Sequence, residues 1–291
     1  MTVWLEQQEV TQARPRLMRL AYRMLGSRAD AEDVVQDAWV AGLALPEPPD
    51  RPEAWLARVV TTRAIDLLRR QKRQRAAYTG CWLPEPWVED GSDVPAMVEA
   101  DVDLSMAVMR VLDRLSPLER AAFLLHDLFG LSFEEIGQTL GRSGVTCRKL
   151  ASRARGQLQA ERPRFPARPE DIARLTALIE TCVRSGDTAA LAAVLADDVE
   201  LVSDGGPKVA AARRVLTGRA EVSGFLAGVL GQMAQGTAIV SRRANGGTAL
   251  QFAEPGAPDS LVFFDLTPDG QLCGIYIQRN PDKLTALPPQ G

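Results

Sequence analysis

The chain has 291 residues, 46% of them apolar, enough for two or three compact domains and too many for one small stapled fold. Only 5% are aromatic while 24% are charged, and Ala, Leu, Arg and Glu run through the first half, so disorder throughout is excluded and a largely helical beginning is expected. No run of about 18 uncharged apolar residues occurs. Met1 to Gln12 carries Glu6 and Glu9 with no cationic flank, so neither a membrane span nor a secretion signal is read and a cytosolic location is expected. Cys81, Cys147, Cys182 and Cys273 form no CxxC pair and the chain has a single histidine, which points to reduced thiols rather than a zinc site or a disulfide framework. A net charge of −3 argues against indiscriminate coating of nucleic acid. That average hides two basic stripes, six cations from Arg63 to Arg75 and seven from Arg142 to Arg164, each with one acid. Between them Glu85 to Asp103 holds seven acids and no base, the pattern of two DNA-facing elements joined by an acidic connector.

In chain order, Arg16 to Leu25 and Ala29 to Leu43 show helical spacing, are separated by Gly26-Ser27 and end before Pro46, Pro48 and Pro49. A long helix restarts over Glu53 to Gln74. Tyr78 to Val102, with three prolines, two glycines and the acid run, reads as an interdomain connector. Helices follow over Leu104 to Leu115, Pro117 to Phe129, Phe133 to Leu140 and Val145 to Leu158, and Pro163, Pro166 and Pro169 mark a second boundary. Beyond it come helices Asp171 to Arg184 and Thr188 to Leu195, strand Val199 to Ser203 and helix Ala220 to Met233. Alternating runs at Thr237 to Arg243, Thr248 to Ala253, Ser260 to Leu266 and Leu272 to Gln278 complete an α+β domain, separated by Asn245-Gly246-Gly247, Pro255-Gly256 and Pro268-Asp269-Gly270 turns.

Phe133 to Leu140, Gly141 and the following helix have helix-turn-helix dimensions. On the second helix Arg142, Ser143, Thr146, Lys149 and Arg153 project hydrogen-bonding groups, while Val145, Leu150, Ala154 and Leu158 are expected to face inward; the plain alternative is a surface helix. Over Trp55 to Arg70, the positions expected outward, Arg58, Thr61, Thr62, Arg63, Arg69 and Arg70, mix hydroxyls with cations, a face able to hold phosphates and exposed bases or simply to be solvated. Asp30, Glu32, Asp33 and Asp37 beside Val34, Val35 and Trp39 suit a basic helical partner, with a solvated face as the alternative.

Together these residues resemble a family. Tyr22-Arg23-Met24-Leu25-Gly26-Ser27 with Ala31 to Trp39 looks like the core-polymerase-binding region of bacterial sigma factors of the extracytoplasmic-function (ECF) type, and Leu115 to Arg120 with Phe133 to Ile136 resembles their promoter-reading fourth region. The Tyr78 to Pro86 connector, the Asp204 to Lys208 loop and the terminal Asn280 to Leu284 are similar to motifs of one subgroup, called group 41 or SigJ-like, whose C-terminal domain resembles the SnoaL/NTF2-like fold. The resemblance implies a multidomain chain: an all-α region 2 bundle over 1–76, a linker over 77–103, an all-α region 4 helix-turn-helix over 104–162, and an α+β SnoaL/NTF2-like cone domain over 168–291. It implies core RNA polymerase, through its beta and beta-prime subunits, as partner at Asp33, Gln36, Asp37 and Trp39. Promoter DNA is implied at the −10 element for the Trp55 to Arg70 face and at the −35 element for Arg142, Ser143, Thr146, Arg148, Lys149 and Arg153. Regulatory contacts are implied at Tyr78, Trp82, Pro84, Asp204, Lys208, Asn280, Asp282 and Lys283, with the C-terminal domain touching the sigma domains. Thr62 stands where many relatives carry asparagine, and Cys81 and Pro207 where the subgroup more often has proline and glycine; Pro207 lacks the N–H an anion-cradling loop would use.

Residues 168 to 291 contain no histidine, so acid-base chemistry there would fall to Asp197, Asp198, Asp204 or Asp265, and His126 is expected in a core or capping role. The expected protein is a non-catalytic, cofactor-free and metal-free alternative sigma factor, without membrane partners, modulated by its own C-terminal domain. The rival reading is a ligand-responsive DNA-binding regulator or an enzyme using the C-terminal pocket without polymerase. The acidic-apolar face at Asp33 to Trp39 discriminates, since a stand-alone regulator has no need of it.

Overall fold

The computed structural model describes residues 3–6, 8–75, 78, 80–89, 104–160, 165–233 and 236–287. Asp90, Asp93, Glu99, Asp101 and Asp103 of the connector, and Glu161, Arg162 and Arg164 of the second basic run, lie outside the described residues. The chain divides into two compact units: the second takes residues 78–92, 103–107 and everything from 162 onward, and the first takes the rest. Among the described residues no helix is long and apolar enough to cross a membrane.

The helices of the first half are α1 (Gln8–Leu25), α2 (Arg28–Leu43), α3 (Pro52–Arg75), α4 (Met106–Arg114), α5 (Pro117–Phe129), α6 (Phe133–Leu140) and α7 (Gly144–Ala160). Their ends follow from local chemistry. Gly26, at φ +69°, closes α1 with its N–H on Tyr22 O at 2.7 Å, and Ser27 Oγ accepts the Asp30 N–H to open α2. Ser116 with Glu119 and Ser132 with Glu135 form capping boxes at the starts of α5 and α6. α1 starts before the expected Arg16 and runs through Pro15, because Val10, Ala13 and Leu17 bury one continuous face. Two arginines then lock α1 to α5 reciprocally: Arg16 donates to Leu128 O near the end of α5, and the buried Arg120 donates to Met24 O near the end of α1. Each cation satisfies a carbonyl that a helix C-terminus leaves open and complements the helix dipole.

The second unit contains β1 (Phe165–Pro166), α8 (Pro169–Ser185), α9 (Ala189–Ala193), β2 (Leu195–Asp204), β3 (Leu216–Thr217), α10 (Arg219–Gly231), β4 (Ala238–Ala244), β5 (Gly247–Ala253), β6 (Ser260–Leu266) and β7 (Leu272–Gln278). The strands lie in the order β3-β2-β7-β6-β5-β4, with β2 parallel to β7, the other neighbours antiparallel and β1 paired to β6. The expected helix over Thr188 to Leu195 is shorter and the expected strand over Val199 to Ser203 longer. Val194 O accepts the Leu272 N–H at 2.8 Å, which draws Leu195 into the sheet. Alternation then gives the sheet two buried faces. Val199, Leu201, Leu250, Val262, Ile275 and Ile277 meet Ile172 and Leu175 of α8 and Val222 of α10 on one face. On the other, Val202, Ala249, Leu261, Phe263 and Tyr276 pack against Leu83, Val88 and Met106. The connector ends therefore belong to the C-terminal unit rather than to a free link.

Candidate functional site

The α6–α7 pair makes a tight helix-turn-helix. Gly141 ends α6 at φ +62°, and a Cβ on Gly137 would lie 2.5 Å from Arg142 O, so the turn requires a glycine at 137 that the sequence reading passed over. Ser143 Oγ accepts the Thr146 N–H at 3.2 Å and opens α7. Cys147, Ala151 and Ala154 form the buried side, leaving Arg142, Ser143, Thr146, Arg148, Lys149 and Arg153 exposed on the other, with Arg148 5.3 Å over the Phe133 ring. Val145, expected inward, is 64% exposed, because the inner stripe begins at Cys147 instead. The imidazole of His126 stacks on Phe133 at 4.4 Å with Nδ1 2.9 Å from Leu131 O, a structural role.

On α3, Thr62, Arg63, Arg69 and Arg70 are exposed and Arg58 half-buried. Thr61 is not part of that face. It is fully buried, since it continues the Ala57, Val60, Ala64 stripe that packs α3 into the bundle, and this corrects the expectation that it projects outward. α3 and α6 flank a cleft of about 460 Å³ lined by Trp55, Arg58, Thr62 and Arg63 on one side and Gln138 and Thr139 on the other. Glu135 joins them, 2.5 Å from Arg51 and 3.4 Å from Arg58. Its carboxyl is held below the usual range chiefly by the Ser132 N–H and hydroxyl, with the two arginines adding to the effect.

On α2 the residues Asp33, Gln36 and Asp37 are exposed along one stripe and Trp39 is half-buried with Arg14 5.6 Å from its ring. The stripe continues into Val40 and Leu43, each 58% exposed. Those two apolar residues were not singled out in the sequence, where they belong to the helical run ending at Leu43.

Every expected regulatory residue except Lys208 and Asp282 meets at one node or packs beside it. Asp204, at 0% exposure, accepts from Tyr78 Oη (2.6 Å), the Leu83 N–H (2.8 Å), Lys283 Nζ (2.8 Å) and the Gly206 N–H (2.9 Å). Lys283 also donates to Leu83 O at 2.6 Å and lies over the rings of Tyr78 and Trp82, while Asn280 donates to Tyr78 Oη at 3.1 Å. Burial and then the Asp204 carboxylate raise the Tyr78 phenol well above its ordinary range, so it stays a donor. Gln278 reaches Pro84 O at 3.2 Å. Lys208 pairs instead with Asp282 at 2.5 Å on the surface, where both are more than half exposed and the pair contributes little. Asn245 was read only as a turn residue. Its Oδ1 accepts the Trp87 N–H at 2.9 Å and its Nδ2 donates to Leu104 O at 3.0 Å, so one buried side chain ties both ends of the connector.

Comparison with known proteins bears on the family of the chain. The model of sigma-70 region 2 matches residues 10–74 and that of sigma-70, region 4 matches residues 105–158. The ECF RNA polymerase sigma factor SigJ of Mycobacterium tuberculosis (strain ATCC 25618 / H37Rv) is 35% identical over 98% of this chain and 95% of its own length. The chain belongs to the ECF sigma factor family. A second relative, the ECF sigma factor SigE of Mycolicibacterium smegmatis, is 37% identical over 52% of this chain and 58% of its own. The crystal structure of M. tuberculosis SigJ superposes with a TM-score of 0.78 at 33% identity, covering 98% of this chain and 100% of that one. The protein is thus an alternative sigma factor, with sigma domains that bind core RNA polymerase and promoter DNA, followed by a helix-plus-sheet domain. In that domain of this sigma factor, Asp197, Asp198, Asp204 and Asp265 all lie off the main cavity. Asp197 is exposed beside Arg219, Asp198 is exposed, Asp204 sits in the connector node, and Asp265 points to the connector face of the sheet.

Proposed function

We propose that the C-terminal domain sets the promoter preference of this sigma factor by holding the connector between its two DNA-reading regions at a fixed length. The observation that carries this reading is the Asn245 side chain bonded to Trp87 on one side of the connector and Leu104 on the other. Promoter output then depends on how well the −35 to −10 spacing matches that length. Asn245→Gly keeps the φ of +53° accessible and removes both ties. In transcription with core polymerase on promoters of graded spacing, the variant is expected to flatten the spacing optimum; an unchanged optimum overturns the reading.

Within this scheme α7 enters the major groove at −35 through Arg142, Ser143, Thr146, Arg148, Lys149 and Arg153, and α3 engages −10 through Arg58, Thr62, Arg63, Arg69 and Arg70. The exposed α2 stripe docks on the beta and beta-prime subunits in the cytoplasm, where the polymerase works. The Arg51 and Arg58 links to Glu135 cover part of the α3 face, so promoter entry opens the α3–α6 cleft. Arg142→Ala or Lys149→Ala is expected to lower −35 recognition by about 1–3 kcal/mol if the side chain contacts a base, or to weaken binding uniformly with a shallower salt slope if it contacts a phosphate. Binding to intact and scrambled −35 boxes over a salt series separates the two.

A further inference from the structure

The face of the C-terminal sheet turned away from the connector encloses, with α8, α9 and α10, a cavity of about 390 Å³. That volume falls in the range of small-molecule sites, roughly 300–1,000 Å³. Its walls are aliphatic and aromatic, with Leu191, Leu226, Phe252, Phe264 and Ile275 among them, and its polar groups gather at one end. Pairing shows why: Ser203 lies beside Ile277, Ile277 beside Val262, and Ser260 beside Phe252, so the ends of β2, β6 and β7 share one edge. Arg279 follows β7 at that edge, while Leu272 marks the opposite, apolar end.

Arg279 Nη1 donates to Ala210 O at 3.0 Å, yet its Nε is buried with no hydrogen-bond partner among the described residues. A buried guanidinium N–H left unmatched is costly, and the Nε edge of arginine is shaped for a carboxylate. Glu254 lines the same cavity and disfavours a ligand with more than one negative charge. We propose that the cavity binds an apolar monocarboxylic acid, its carboxylate on Arg279 and its chain among the apolar walls.

The probe is decanoate, titrated into the full chain by calorimetry, with decanol and decyltrimethylammonium as matched neutral and cationic controls. Decanoate is expected to bind, and Arg279→Met, which keeps most of the stem, to weaken it about tenfold or more. Leu226→Trp, which fills the cavity, is expected to abolish binding while thermal unfolding of both variants reports that the domain is folded. Should Arg279→Met misfold, the loss on Leu226→Trp together with the preference for the acid over decanol carries the test. The proposal is overturned if decanoate fails to bind, if decanol or the cation binds as tightly, or if either folded variant binds decanoate like the wild type.

Discussion

Asp204→Ala is expected to release the connector and to be among the most damaging single substitutions in the C-terminal unit. The change leaves Lys283 Nζ, the Tyr78 hydroxyl and the Leu83 N–H without their shared buried acceptor. Removing one partner from a buried charged pair costs about 3–5 kcal/mol, most of it the desolvation of the group left behind. Asp204→Asn preserves the shape but turns an amide NH₂ toward donors, so it falls in the same direction. Limited proteolysis within residues 78–89 should become faster in both variants, while helices α1 to α3 of the first unit, which does not contain the node, keep their protection. Equal cleavage rates in variant and wild type would show that the node does not restrain the connector. Because Asn245 ties the same segment, the double variant with Asn245→Gly should lose less than the sum of the two single effects.

Reversing charge on α2 is expected to abolish polymerase binding with the fold intact. Asp33 and Asp37 are exposed one helical turn apart, so Asp33→Arg with Asp37→Arg disturbs no buried contact, whereas a basic partner facing that stripe meets like charge at a cost of several kcal/mol. Val40→Ser and Leu43→Ser extend the test to the apolar end of the stripe, where the 58% exposure of each residue leaves substantial area to bury on a partner. Co-purification with core enzyme reads the outcome, and circular dichroism checks the fold. A charge-reversed variant that still co-purifies would sink the docking assignment.

What the chain determines locally is legible in it. The two Ser-x-x-Glu boxes span only three residues each, Ser116 to Glu119 and Ser132 to Glu135, so their backbone consequences can be read before any fold is known. The same holds for Gly141, for the Asn245-Gly246 hairpin and for the apolar runs of β5 to β7, which the turn residues between them delimit. The motifs of the connector, the Asp204 loop and the tail were also visible, and a family resemblance could pair them. Tertiary structure alone decided what they do to one another: Leu83 and Asp204 are 121 residues apart, Trp87 and Asn245 are 158 apart, and no local propensity encodes an acceptor waiting at that distance. The fate of Thr61 was decided in the same way. A threonine between Val60 and Thr62 fits an exposed stripe or a buried one, and only the packing of α3 against α1 and α2 selected burial. Arg279 was hidden for a related reason: on a strand end its side chain can face either side of the sheet, and it is the register of β7 against β2 and β6 that sends Gln278 to the connector and Arg279 to the cavity.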